Sequence, residues 1–396
     1  MLMNEARLFG GMKSESMDAI VATAPEKVTY SSGFWAQSQW IRRGPQAYVL
    51  TPIAGRGPQA IVASTGTLDL LGDQDVAIRD VRRYGYFAIE RDQSVELDEG
   101  EKRVAEICES QDYGDPVSGL VAVIKDRNLE SAVIGVDEIG ILPQYYDKLV
   151  EALPRATIRR AASVFRYARA IKTAEEVRRL RRSARVAELS IDAALAVARV
   201  GATERELAYA FHAKTIAEGG MPVLGVMCTG PRSAMSSGQP GDRVLRMGDV
   251  IRFDVGGRCL HYRADIARIA VVGSASEKVK KYHAAIRAGL LRAYELIKPG
   301  VRTADVFNAV VETVRKEGMP HYRRNHVGHG IGLDGYDAPN ITPGSTEVFE
   351  QGNCICVETP YYEMGFAGLQ VEDTMHVTRD GVESLMSTSS ELRIVG

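Results

Sequence analysis

What the chain lacks narrows the field first. No apolar stretch approaches the roughly 18 residues that a membrane-spanning helix needs. The opening Met1-Leu-Met-Asn-Glu-Ala-Arg7 has no apolar secretory core, so no membrane role and a cytoplasmic location are expected. The formal net charge is only −2, which gives no basic surplus and argues against nucleic acid as a partner. Five cysteines, at 108, 228, 259, 354 and 356, form no Cys-x-x-Cys pair, and an odd count fits no closed disulfide framework. They read as reduced packing thiols. What remains is 396 residues with 45% apolar and 25% charged side chains, the composition of a globular protein too long for one ordinary core. Two domains are expected.

The first part of the chain alternates short apolar strands with helical stretches, the pattern of an α/β layer domain. Strands are predicted at 18–22, 46–50, 59–63 and 131–136, with helical periodicity across 95–125 and 144–153. Nothing here has catalytic spacing. A boundary falls between Arg159 and Thr173, giving domains 1–165 and 166–396. Thr173-Ala-Glu-Glu176 is a capping box that opens a helix running to about residue 200. Further helices are predicted at 203–219, 276–297 and 303–318. Helices covering one side of a sheet leave its other side free for chemistry.

The chemistry gathers around Arg252-Phe-Asp-Val-Gly-Gly-Arg-Cys-Leu-His-Tyr-Arg-Ala-Asp265, read as one β-hairpin with Gly256-Gly257 as its turn or bulge. In that reading Asp254 and Asp265 sit directly opposite each other, Cβ atoms roughly 4.5 to 5.5 Å apart. Two carboxylates that close survive burial only if a cation lies between them or one is protonated. Downstream, His329 stands in Gly328-His-Gly-Ile-Gly332, Glu358 closes the apolar run Cys354-Ile-Cys-Val-Glu358, and Glu372 lies in Leu369-Gln-Val-Glu-Asp-Thr-Met375. Period-two alternation puts Cys354, Cys356 and Glu358 on one face of their strand, and Gln370, Glu372 and Thr374 on one face of theirs. Four carboxylates and one imidazole suit two divalent ions, Mn, Co, Zn or Fe(II), about 3.5 to 4 Å apart with a water between them.

These five residues in this order resemble the ligand set of the pita-bread metallopeptidases. The neighbouring words Phe253-Asp-Val-Gly256, Ala264-Asp-Ile-Ala-Arg268, Gly328-His-Gly-Ile-Gly-Leu333 and Val371-Glu-Asp-Thr374 are similar to that family too. The resemblance implies an α/β N-terminal domain of the creatinase and prolidase type, followed by an α+β catalytic domain with a curved antiparallel sheet. It implies a homodimeric hydrolase of the Xaa-Pro dipeptidase or aminopeptidase P kind, acting on a small peptide through a hydroxide bridging two metals. Asp254, Asp265, His329, Glu358 and Glu372 would be the ligands, with Glu358 also carrying a proton to the leaving nitrogen. In such relatives the N-terminal domain helps shape the partner subunit's pocket. Phe34-Trp35 and the stretch from Trp40 to Arg43 are placed for that role, though they read first as local core and surface.

The chain departs from the family at three places. Two histidines expected near the metals fall on Ser237 and Tyr336, and an arginine expected two residues before the last ligand falls on Gln370. These three can donate hydrogen bonds, but none brings a positive charge. Ser237, Tyr336, His326, Gln370 and Arg324 are the candidate substrate-binding residues: Tyr336 as oxyanion or substrate donor, His326 also as a support for the ligands, and Arg324, or Arg323 beside it, for a substrate carboxylate. The departures leave open a second reading, a C–N hydrolase or lyase acting on a small metabolite. The creatine-cleaving relatives work without the metal set, whereas all five ligands are present here. The lyase relatives carry an Asp where this chain has Arg252. A metal-free binding scaffold is the third reading.

Overall fold

The computed structural model describes residues 2–42 and 44–396, and the chain forms two units, one running through Arg169 and the other from Ala170 to Gly396. Arg43 and the side chain at position 42 lie outside the described residues.

The first unit is built on a six-stranded mixed sheet of β1 (Ala19–Ala22), β2 (Tyr48–Pro52), β3 (Ala60–Ser64), β4 (Asp80–Tyr84), β5 (Val133–Val136) and β6 (Thr157–Arg160), ordered β4-β3-β2-β1-β5-β6. Val21, Leu50, Val62 and Ile134 pack with Val117, Leu120 and Ile124 of a covering helix. The apolar periodicity across 95–125 resolves into two helices, Glu99–Glu109 and Pro116–Asp126. Asp115 caps the second through the amides of Val117 and Ser118, and Pro116 sits in its first turn, where a missing N–H costs nothing. Phe34 is fully buried, so it belongs to the core of this unit.

The second unit carries a ten-stranded sheet. Its strands are β7 (Met221–Thr229), β8 (Val250–Cys259), β9 (Tyr262–Arg263), β10 (Ile266–Val272), β11 (Gly328–Gly330), β12 (Asp337–Asn340), β13 (Cys354–Glu358), β16 (Glu372–Val377), β17 (Val382–Ser384) and β18 (Arg393–Val395); β14 (Tyr361–Glu363) and β15 (Ala367–Leu369) form a separate hairpin. The main path runs β12-β11-β13-β16-β10-β8-β7, antiparallel throughout. Four helices cover it, Ala174–Val197, Glu204–Ala217, Glu277–Leu296 and Thr303–Lys316. Thr173 and Thr203 open the first two with capping boxes. Ile251, Phe253 and Val255 pack against the first pair of helices, and Ile355, Val357, Met375 and Val377 against the second. Residues of the other parity on β8, β13 and β16 therefore point away from these helices, and Asp254, Glu358 and Glu372 are among them.

The hairpin at the centre of the sequence reading differs in register. Arg258 pairs with Arg263 and Cys259 with Tyr262, which puts the turn at Leu260-His261, both with positive φ. A two-residue turn of that hand matches the twist of its strands. Gly256 and Gly257 instead lie inside β8, where a Cβ at Gly256 would come within 1.8 Å of the Ala264 carbonyl oxygen. Glycine there permits close backbone approach, not a turn. Asp254 is consequently paired with Ala267 and not with Asp265. Asp265 precedes β10 and is a diagonal neighbour of Asp254 on the same face, because a shift of two residues preserves the face.

Candidate metal centre

Two adjacent rows of side chains cross one face of the second sheet. The first is Glu358, Glu372, Ala267 and Asp254, each the cross-strand partner of the next. The second, one pleat away, is His329, Cys356 and Thr374. Glycine makes the His329 strand possible: a Cβ at Gly328 would meet the Cys356 carbonyl oxygen at 2.2 Å, and one at Gly330 the Ala338 carbonyl oxygen at 2.2 Å. Thr374 donates from Oγ1 to the backbone carbonyl of Asp265 at 3.1 Å, tying Asp265 to this face.

Four of the five expected ligands fall in two coordination-sized groups that share Glu372. Single oxygens of Asp254, Asp265 and Glu372 lie within 4.8 Å of one another, and so do a ring nitrogen of His329, Cys356 Sγ and an oxygen of Glu372. His329 Nε2 is 3.9 Å from Asp265 Oδ2. The His329 Nδ1 faces the Gly330 carbonyl at 3.0 Å, which leaves Nε2 toward the carboxylates. Glu358, beside Glu372, makes different contacts. Its Oε1 takes a hydrogen bond from His326 Nε2 at 2.7 Å, and its Oε2 one from Gln370 Nε2 at 3.3 Å. Gln370 Nε2 is also 3.4 Å from Glu372 Oε2, so one amide bridges the two glutamates.

The electrostatics ask for a cation. Burial and then the charges of neighbouring carboxylates push Asp265 and Glu372 well above the ordinary range, and Asp254 up to about 6. Burial works upward on Glu358 too, but the His326 hydrogen bond and the nearby His329 and Arg324 outweigh it and hold this carboxyl below its usual value. Asp265 Oδ1 and Glu372 Oε1 are buried with no hydrogen-bond partner among the described residues. Orphaned carboxylate oxygens among like charges are costly unless positive charge fills the gap. The donor set, hard oxygens with one imidazole and one thiol, fits a divalent transition ion.

The candidates around this cluster divide. Tyr336 stacks on His329, ring centroids 4.0 Å apart and planes at 28°, with 65% of its surface open. Arg324 lies with its guanidinium carbon 5.9 Å from the Tyr362 ring centroid, and Arg323 is exposed. Ser237 is exposed, and among the described residues no hydrogen bond joins its hydroxyl to the cluster. The structure thus brings His326, Gln370, Tyr336 and Arg324 around the cluster and does not tie Ser237 to it.

Several participants were not singled out by the sequence reading. Arg252, wholly buried, donates to Asp254 Oδ2 at 3.1 Å and to Gln370 Oε1 at 2.9 Å. It places a positive charge against Asp254 and Gln370, and its i, i+2 spacing from Asp254 on an apolar strand was the available signal. Tyr362 donates to Gln370 Oε1 at 3.2 Å, and its ring centroid is 5.2 Å from the Arg252 and 5.9 Å from the Arg324 guanidinium carbon. Cys356, expected as a packing thiol, joins His329 and Glu372. Arg268 pairs with Asp373 at 2.8 Å and donates to the Glu372 carbonyl at 2.8 Å, fixing β16 from its far face.

A two-unit chain with buried carboxylates and an imidazole converging on one antiparallel sheet is the architecture of a metal-dependent hydrolase, and the chain belongs to metallopeptidase family M24, whose model matches residues 178–379. Among relatives, it is 30% identical to the Xaa-Pro dipeptidase of Pyrococcus furiosus over 231 residues, which span 58% of this chain and 66% of that protein. The Xaa-Pro dipeptidase of Pyrococcus horikoshii is 28% identical over 269 residues, 66% of this chain and 76% of that protein. Among solved structures, an X-Pro aminopeptidase from Thermotoga maritima superposes with a TM-score of 0.79 at 20% identity, covering 99% of both chains. An Xaa-Pro dipeptidase from Bacillus anthracis does so with a TM-score of 0.81 at 21% identity, again covering 99% of both. The expected fold, an α/β unit followed by an α+β pita-bread unit, is therefore the fold of this chain.

Proposed function

We propose that this chain is a dinuclear metal-dependent peptidase that cleaves before proline, on Xaa-Pro dipeptides or at the N-terminus of a short peptide. The observation that carries the reading is the convergence of Asp254, Asp265 and Glu372, two of them with an orphaned carboxylate oxygen among the described residues, on a fold similar to that of an Xaa-Pro dipeptidase. Asp254, Asp265, His329, Glu358 and Glu372 would hold two divalent ions, Mn, Co, Zn or Fe. When bound, such a pair polarises a carbonyl and makes water nucleophilic near neutral pH.

The residues of the chain then have distinct tasks. Glu358, kept ionised by His326, can accept the proton of the attacking water and deliver it to the leaving nitrogen. Tyr336, set by its stack on His329, would donate to the developing oxyanion. Gln370 orders the two glutamates, Arg324 would take the substrate carboxylate, and Ser237 would contact substrate from its exposed loop. A catalytic domain starting at residue 166, a homodimer and a cytoplasmic location belong to the same reading; five free thiols support a reducing compartment.

The second reading, hydrolysis or lysis of a small non-peptide metabolite, draws on Ser237 and Tyr336 at positions where the resemblance places histidines. Release of free proline from Met-Pro and Leu-Pro, with added Mn(II) against the chelated protein, separates the two. No turnover on any Xaa-Pro substrate by the metal-loaded protein, alongside turnover of a metabolite, would favour the second.

A further inference from the structure

Arg252 uses every donor it has. Its Nε donates to the Ser233 carbonyl at 2.9 Å, Nη2 to the Met235 and Ser236 carbonyls at 2.8 and 3.0 Å, and Nη1 to Asp254 Oδ2 and Gln370 Oε1 at 3.1 and 2.9 Å. Five N–H groups meet five acceptors, and no part of the side chain reaches solvent. A buried guanidinium this fully satisfied holds its partners in one geometry.

Those partners lead to the carboxylate cluster by two routes. One is direct, to Asp254. The other runs through Gln370, whose Oε1 receives both Arg252 and the Tyr362 hydroxyl, so its amide nitrogen must face Glu358 and Glu372. Turning that amide over would set its N–H groups against the donors of Arg252 and Tyr362. We infer that Arg252 is the positioning residue of the metal centre, orienting Asp254 directly and Glu358 and Glu372 through Gln370, while its other donors hold residues 233–236 against the same site. This rests on the metal-centre reading above.

Lysine at 252 keeps the charge but loses the planar fork, so R252K isolates geometry from charge. Mn(II) titrated calorimetrically into the chelated protein is expected to bind wild type at about two ions per chain and R252K roughly 10- to 100-fold more weakly, the range for groups that orient metal ligands. Q370M is expected to weaken binding through the same route, so R252K/Q370M should be weaker than R252K by much less than the factor seen for Q370M alone. Should R252K not fold, Q370M and Y362F carry the test, Y362F weakening binding less than Q370M. Wild type and R252K binding Mn(II) within twofold of each other would overturn the role of Arg252 and leave the metal centre standing, as would a lowered melting temperature with unchanged affinity. No Mn(II) binding by wild type would overturn both.

Discussion

Glu358 and Glu372 face each other across β13 and β16 as direct cross-strand partners. Like charges so placed oppose folding, and Asp254 and Asp265 on the same face add to the repulsion. Metal binding should therefore stabilise strongly. At a free Mn(II) concentration 100 times its dissociation constant the gain is about 2.7 kcal/mol, and for a unit of this size each kcal/mol raises the melting temperature by roughly 2 to 4 °C. Scanning calorimetry of chelated and loaded protein reads this directly. E372Q should raise the melting temperature of the chelated protein and abolish most of the gain from Mn(II); equal gains in both proteins would remove Glu372 from the centre.

His326 is expected to act through Glu358 alone, since its Nε2 meets that carboxylate at 2.7 Å. H326A should lower kcat roughly 10- to 100-fold with KM little changed, the signature of an orienting contact. Steady-state kinetics on Leu-Pro check this, and a rise in KM at constant kcat would move His326 to substrate binding.

Tyr336 offers two separable features, a ring on His329 and a hydroxyl. Y336F keeps the stack and removes the donor. If the hydroxyl serves the oxyanion, kcat should fall on the order of 100-fold or more with metal affinity unchanged. Y336A should also weaken metal binding by freeing the His329 ring. Full activity in Y336F would confine Tyr336 to packing.

Stability should depend on pH through Glu176, in the first turn of the helix Ala174–Val197. This buried glutamate accepts from the Thr173 amide and the Tyr262 hydroxyl, and burial pushes it up to about 7 despite Lys172 nearby. Its folded value lies above its unfolded value, so folding takes up a proton between pH 4.5 and 7. The stability difference between wild type and E176Q should thus shift by about 3 kcal/mol across that window, wild type losing ground as pH rises and levelling off above it. Urea unfolding of both proteins from pH 4 to 8 checks the sign; parallel curves would refute it.

The ligand strands were legible because their message is local. Cys354-Ile-Cys-Val-Glu358 is a short apolar run closed by a carboxylate, and one face of β13 and β16 follows from parity alone. The helix starts at Thr173 and Thr203 were legible for the same reason, since a cap and its glutamate are three residues apart. The hairpin turn was not, because Leu260-His261 carries none of the Asn or Gly that mark a primed turn, while Gly256-Gly257 a few residues earlier does. Strands β4 and β6 were silent: Asp80-Val-Arg-Arg-Tyr84 and Thr157-Ile-Arg-Arg160 are the two edges of their sheet, where charge blunts pairing and erases the apolar pattern. The bond from Arg252 to Gln370 and the bond from Arg268 to the Glu372 carbonyl each span over a hundred residues, which no window along the chain contains.

Strand β16 comes late in the sequence yet lies in the middle of its sheet, between β13 and β10. During synthesis, then, the two halves of the sheet have no strand to join them until residue 377 has left the ribosome. A nascent chain would hold Asp254 and Asp265 apart from His329 and Glu358 until that insertion, and would complete the cluster only as the last central strand slides home.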